Sequence, residues 1–504
     1  MSSSRPSRIA TNLVSATVSV GCSLLFVAAP AAAHGVGGRS DLPLPLASVV
    51  WGSVCAVAIS FLVVGFFWYK PRLRELADRK LAIQPTATVD DSTGAKQVRS
   101  RTLEKVAIVA AFLLPSVYAV KSWSRTLEKV AIVAARAIGL TAFFVTLFAA
   151  LYGNINQSVN IAPAAFYILF WVGIPVLSIL AGDVWRIFNP MSTFATGAEW
   201  VKTRVFKIKN QRTPKNDTHW WAAAVLLVFV WLELAYHNSG SPRAIGVFLS
   251  AYTAFIILGA AFRGRSWALN ADGFGVLFKY FGAIGPLQHD SNNRLRLCWP
   301  LTRLANISVL PGTEAVVLIV IGATAFDSLT GTSFWLDLVY RYKGWTLTAY
   351  NTVGLLLTIS ITFFIYRTAV KVMSVITEDS EQELADMFVP SLIPICVAYM
   401  VSHYFSFLLL DGQKLITHIS DPFGRAWDMF DTATYQPNHT FLSPSLIAWV
   451  QTASIVVGHI IGIVIAHDRA LERYRRELAL RSQYPMVAAM IFFTTTGLLL
   501  LFSY

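Results

Sequence analysis

Charge is what this sequence has least of. Only 14% of its residues are Asp, Glu, Lys or Arg, against roughly 25% in soluble proteins. That deficit excludes the three or so soluble domains, at roughly 150 residues each, that a length of 504 would otherwise suggest. Cysteine is nearly missing too. Cys22, Cys55, Cys298 and Cys396 lie in separate segments with no paired spacing, which indicates neither a disulfide framework nor a zinc site. No H-E-x-x-H motif or paired-histidine spacing occurs, and no polar stretch is long enough to fold as a soluble domain. What the chain has in quantity is apolar surface: 55% of residues are hydrophobic and the mean hydropathy is +0.55. These residues come in long blocks, so the expected fold is all-α, a polytopic transmembrane helix bundle.

The first 33 residues read as a secretory signal peptide. Arg5 and Arg8 form a basic start, an apolar stretch follows from about Leu13 to Pro30, and Ala31-Ala32-Ala33 supplies a small-residue cleavage site. The alternative is an uncleaved first helix. Ser19-Val20-Gly21 before Cys22 is a poor lipidation signal. Cleavage would make His34 the mature N-terminus, place it outside, and lower the net charge from +13 to +11. Residues 34–504 then form one multi-pass membrane domain.

Ten further segments match, or nearly match, the ~20 residues needed to cross a ~30 Å hydrocarbon core. They lie near 46–69, 130–152, 162–182, 220–236, 244–262, 315–331, 347–366, 388–410, 444–466 and 485–503. With His34 outside, the inner loops 70–129, 183–219, 263–314, 367–387 and 467–484 carry 12, 7, 6, 2 and 5 Lys/Arg, or 32 in all. The outer loops carry six: Arg39, Arg243, Arg341, Lys343, Lys414 and Arg425. This bias satisfies the positive-inside rule. The basic excess therefore answers to topology and to the lipid bilayer, not to nucleic acid, and the expected location is a bacterial inner membrane. The largest outer loop is 411–443.

Ser100–Ala111 reads SRTLEKVAIVAA, and Ser124–Ala135 repeats it unchanged at an offset of 24 residues. Val106–Val120 is apolar but short and bounded by Lys105 and Lys121. If it spanned, every later loop would invert against the charge bias, so a re-entrant or interfacial segment is expected. Trp267–Leu287 interleaves Phe274, Phe278 and Phe281 with Gly and Lys279, the pattern of a helix lying on the inner surface.

Ionisable residues within spans are costly and so are functional candidates. Glu233 and His237, four apart at the outer end of the fourth span, share a helix face: two metal ligands, a base with its orienter, or a boundary ion pair. Asp327 sits at a similar depth in the sixth span, facing the same cavity or simply ending a helix. His403 lies ~10 Å deep in the eighth span at 1.5 Å per residue, as ligand, general base or hydrogen-bond partner of Gln451. His459 lies deeper between Gly458 and Gly462 and reads as a packed histidine donating to a carbonyl. His467-Asp468-Arg469 reads as a charged helix terminus. A mature His34 could chelate copper through its amine and imidazole, and Gly35, Gly37 and Gly38 would let it fold back over the outer face. Glu233, Asp327 and His403 are thus the candidate catalytic residues; His34, His237, His403 and His418 are the candidate metal ligands.

A set of motifs across most of the mature chain resembles the fenitrothion hydrolases, a family of bacterial membrane proteins. They include Ala33-His34-Gly35 through Pro43, Asn160-Ile161-Ala162-Pro163 with Phe170-Trp171-Val172-Gly173, and Gly182-Asp183-Val184-Trp185-Arg186 with Asn189-Pro190. Others are Ala325-Phe326-Asp327, Ser391 to Ile395 with His403-Tyr404, Asp421-Pro422-Phe423-Gly424, Val457-Gly458-His459, Ala466 to Ala470 and Ser482-Gln483-Tyr484-Pro485. The duplicated block departs from the pattern. The resemblance implies hydrolysis of an organophosphorus triester, an apolar substrate drawn from the bilayer, and it assigns no residue roles. A divalent metal could assist by activating water and polarising the phosphoryl oxygen. The competing readings are a copper-handling or proton-coupled transport protein, and a structural subunit of a membrane complex.

Overall fold

The computed structural model of the chain describes residues 45–78, 125–207, 217–289 and 295–502. The leader, His34 and the first copy of the duplicated block lie outside the described residues. Nine described helices are long and apolar enough to cross a membrane: α1 Leu46–Phe67, α2 Arg125–Tyr152 (its apolar part Val130–Tyr152), α3 Ile161–Ala181, α5 Pro242–Arg263, α6 Thr313–Thr330, α7 Gly344–Thr377, α8 Glu381–Leu410, α9 Pro444–Arg473 and α10 Arg476–Phe502. A shorter apolar helix, α4 Trp220–Ala235, lies between α3 and α5. The chain is an all-α, multi-pass membrane protein. The one strand pairing among the described residues is a hairpin of Leu287–His289 with Leu295–Leu297.

The surface agrees with a lipid solvent. Phe262, Phe364 and Val353 are 78, 72 and 67% exposed, an arrangement that would cost solubility in water but costs nothing in hydrocarbon. Helix starts use local chemistry. Ser380 accepts from Glu383 N to open α8, Ser443 accepts from Leu446 N ahead of Pro444 in α9, and Asn160 accepts from Ala162 N at α3. Helices α7 and α8 run past the apolar spans into the loop expected at 367–387, because backbone hydrogen bonding continues where hydropathy stops. In α3 the turn before Pro175 is wound as π-helix over Ala164–Gly173, which accommodates a residue with no N–H to give.

Helices α8 and α9 form the tightest crossing. A Cβ on Gly458 would stand 2.3 Å from Ala398 Cβ and 2.7 Å from Pro394 O, and one on Gly462 would stand 2.7 Å from Ser391 O. Small residues at this spacing let two backbones meet. His459 is buried there and its Nδ1 bonds Ile455 O at 2.8 Å, one turn back on its own helix.

Two expectations need correction. The segment 267–287 does not lie on the surface. It folds as helices Arg265–Ala271 and Gly273–Gly282, with Phe274, Phe278 and Phe281 at most 1% exposed. Phe274 packs 4.8 Å from Phe170 and 5.0 Å from Phe229, so aromatic burial between α3 and α4 outweighs interfacial placement. His467-Asp468-Arg469 is likewise more than a charged terminus. His467 and Asp468 are fully buried. Asp468 accepts from Trp68 Nε1 and Leu73 N, His467 bonds Trp68 O and Gln483, and Arg469 donates to Ala305, Met387 and Ile307 carbonyls. Polar groups buried this far are retained because each residue makes hydrogen bonds that offset its desolvation.

Candidate active site

The end of α4 decides the aim of Glu233. Its last turn, Trp231–Ala235, is π-helical, a winding that is rare and often found at functional positions. Tyr236 then turns extended at φ −70°, ψ 126°. This breaks the helix before His237, so Glu233 and His237 do not share a face as four-residue spacing predicted. His237 is exposed and bonds Thr348 of α7, Nδ1 to Oγ1 at 2.9 Å and backbone N to Oγ1 at 3.1 Å.

Glu233 instead meets residues from two other helices. His403 Nε2 on α8 stands 2.7 Å from Asp327 Oδ2 on α6. The Tyr404 hydroxyl reaches both Glu233 Oε1, at 3.1 Å, and Asp327 Oδ2, at 3.3 Å. One hydroxyl proton thus faces two carboxylate oxygens. The His403 and Asp327 side chains are 17 and 21% exposed, so this pair is not sealed in the core. The Trp171 indole lies beside Glu233 and Tyr404, with its N–H on the side of the cluster.

The three candidate catalytic residues, Glu233, Asp327 and His403, are therefore brought together at one end of the bundle. The candidate metal ligands are not. His237 is held by Thr348, His418 sits on the separate helix Lys414–Ser420, and His34 lies outside the described residues. Among the described residues no three His, Cys, Asp or Glu side chains gather as metal ligands. Other acids at this end hold the 411–443 segment in shape. Asp411 pairs with Lys414, Asp421 accepts from Arg425 N and Ala426 N, and Asp428 accepts from Thr432 N and Ala433 N.

Tyr404 and Trp171 were not singled out from sequence. The available signal for Tyr404 was its position next to His403, but adjacent helical residues point about 100° apart, so adjacency alone does not predict a shared site. Other motif residues serve the frame. Asn160 Nδ2 ties Ala149 O to Asn154 O, while Pro422 and Phe423 carbonyls accept from Ile161 N and Asn154 N. The Asp421-Pro422-Phe423-Gly424 turn is thereby docked on the α2–α3 connection.

Comparison with protein-family profiles, curated proteins and solved structures returns no match.

Proposed function

We propose that this chain is a membrane-embedded hydrolase of apolar aryl organophosphorus triesters, working in the outer half of a bacterial inner membrane with its mature N-terminus outside. The motif resemblance to the fenitrothion hydrolases names the substrate class. The observation that carries the chemistry is the Glu233–Tyr404–Asp327–His403 cluster, a partly exposed carboxylate–imidazole pair beside a hydroxyl donor. The orientation follows from the 32-to-six distribution of basic residues.

In the reaction, water forms the new O–P bond as the His403–Asp327 pair accepts its proton. The P–O(aryl) bond breaks, and the leaving phenolate recovers a proton from the same pair. Asp327 orients the imidazole and balances its charge when protonated. Tyr404 supplies a hydroxyl donor for the phosphoryl oxygen or sulfur, and Glu233 holds that hydroxyl in place. A metal-assisted route is not supported by the donor set, because its carboxylates and imidazole are committed to one another and to Tyr404. General acid–base catalysis of this kind contributes about 10²–10⁴-fold.

The test is phenol release from an aryl dialkyl phosphorothioate by purified protein in lipid, with His403→Gln and Asp327→Asn compared to wild type. Turnover unchanged in both variants would remove the pair from the mechanism.

A second reading, proton-coupled transport, has its own support. Tyr404 connects acids on α4 and α6, and hydrogen-bonded acid chains within a membrane serve proton relays. Proton flux in sealed proteoliposomes without triester turnover would favour it.

A further inference from the structure

The strongest feature unrelated to that cluster is a cavity of about 450 Å³ at the other end of α4. His219, just before α4, lines it, while Glu233 sits 14 residues on, roughly 21 Å away along the helix. The cavity wall carries five cations, Arg136, Arg186, Arg265, Lys279 and Arg303, and two acids, Asp183 and Asp272.

Two acids against five cations leave the wall with a basic excess. Asp272 is 1% exposed and accepts from Tyr252 Oη, from Gly275 N at 2.8 Å and from Asn189 Nδ2 at 2.7 Å. Asp183 accepts from Arg186 N at 3.2 Å. Arg265 is taken up by Thr196 and Ser192 hydroxyls. Neither the Lys279 ammonium nor the Arg303 guanidinium has a hydrogen bond or an ion pair among the described residues. Burial and the adjacent Arg303 charge together push the Lys279 ammonium below its ordinary range, which Asp183 only partly offsets. Two cations are thus held near each other, against their repulsion, on the wall of one concavity.

The frame that holds them is rigid. Gly182, at φ +101°, would place a Cβ 1.9 Å from Leu287 O, so the turn into Asp183 admits only glycine. Lys279 projects from the helix Gly273–Gly282, whose remaining residues are almost all buried.

We propose that this cavity is a binding site for a phosphate-bearing anion, held between Lys279 and Arg303. A tetrahedral oxyanion suits an arginine fork and a lysine point charge together. The volume exceeds that of inorganic phosphate and falls within the ~300–1,000 Å³ of ligand pockets, leaving room for whatever carries the phosphate. Two sources share this chemistry: an anionic phospholipid headgroup and a soluble phosphate monoester or inorganic phosphate.

The experiment uses full-length, delipidated protein in neutral detergent. Inorganic phosphate should raise its melting temperature saturably, beyond chloride at equal ionic strength, if the soluble source is right. Native mass spectrometry after exposure to mixed phosphatidylglycerol and phosphatidylcholine should show selective retention of phosphatidylglycerol if the lipid source is right. Either effect should weaken at least about tenfold in Lys279→Gln/Arg303→Gln and persist in Lys279→Arg/Arg303→Lys. Wild type that prefers neither phosphate over chloride nor phosphatidylglycerol over phosphatidylcholine overturns the proposal, whether or not the glutamine variant folds. So does a folded glutamine variant that binds like wild type.

Discussion

Tyr404 and Glu233 stand 171 residues apart in the chain and 3.1 Å apart in space. Their contact joins α8 to the π-wound end of α4, and through Asp327 to α6. Removing the hydroxyl while keeping the ring tests whether this link is chemical or merely packing. Tyr404→Phe should lower triester hydrolysis about 10–100-fold while costing about 1 kcal/mol of stability, the worth of a hydrogen bond. Turnover by the purified variant, read beside its melting temperature, separates the two.

The His403–Asp327 pair acts as a unit, so its losses should not add. Asp327→Asn and His403→Gln are each expected to lower turnover about 10²–10⁴-fold, and the double variant should fall little further than the worse single one. A double variant showing the product of the two losses would mean that the residues act separately.

Chelation provides another check. Because Glu233, Asp327 and His403 are engaged with Tyr404 and with one another, dialysis against EDTA should leave turnover within about twofold of the untreated protein, in contrast to a site relying on metal-activated water. A complete loss restored by added zinc or manganese would contradict this.

His219 gives a pH dependence with a definite sign. It is 2% exposed, its Nδ1 bonds Thr313 Oγ1 at 2.8 Å, and burial with Lys279 nearby pushes its pKa down to about 4, from an ordinary value near ~6.5. The folded state binds this proton less readily than the unfolded chain. Its contribution is therefore complete above about pH 6.5 and is lost as pH falls toward 4, by a few kcal/mol at most (about 1.4 per pKa unit). Melting temperatures from pH 7 to 4 should fall more steeply in wild type than in His219→Gln.

The α8–α9 crossing should tolerate no added atom. Gly458→Ala would set a methyl 2.3 Å from Ala398 Cβ and 2.7 Å from the Pro394 carbonyl, neither of which can rotate away. A loss of about 1–3 kcal/mol is expected from such overpacking, measurable as a lower melting temperature in detergent.

Much of the frame was legible in the residues themselves. Nine of the ten apolar blocks became helices long enough to span, among the described residues, and the 220–236 block became the shorter α4; each span must bury its own backbone hydrogen bonds and needs a fixed length of apolar chain to do so. Gly458 and Gly462 announced a close crossing for the same local reason. The depth estimates also put Glu233 and Asp327 at a similar level near the outer ends of their spans. The helix pair around Asp272 was misjudged because a row of phenylalanines looks alike whether it faces lipid or Phe170 and Phe229.

By itself, then, the sequence determined the membrane class, the positions of the apolar helices and the scarcity of polar groups from which a site could be made. Only the tertiary structure decided which of those groups meet. It turned His237 away to Thr348 by ending α4 in a π turn, brought in Tyr404 across 171 and 77 residues to bridge two acids, and gathered five basic residues around one cavity. Helical periodicity reports which residues lie on one face of one helix. Which faces of different helices come together is set by packing across the bundle, where glycines, prolines and changes of winding move a side chain by several ångströms without any periodic trace.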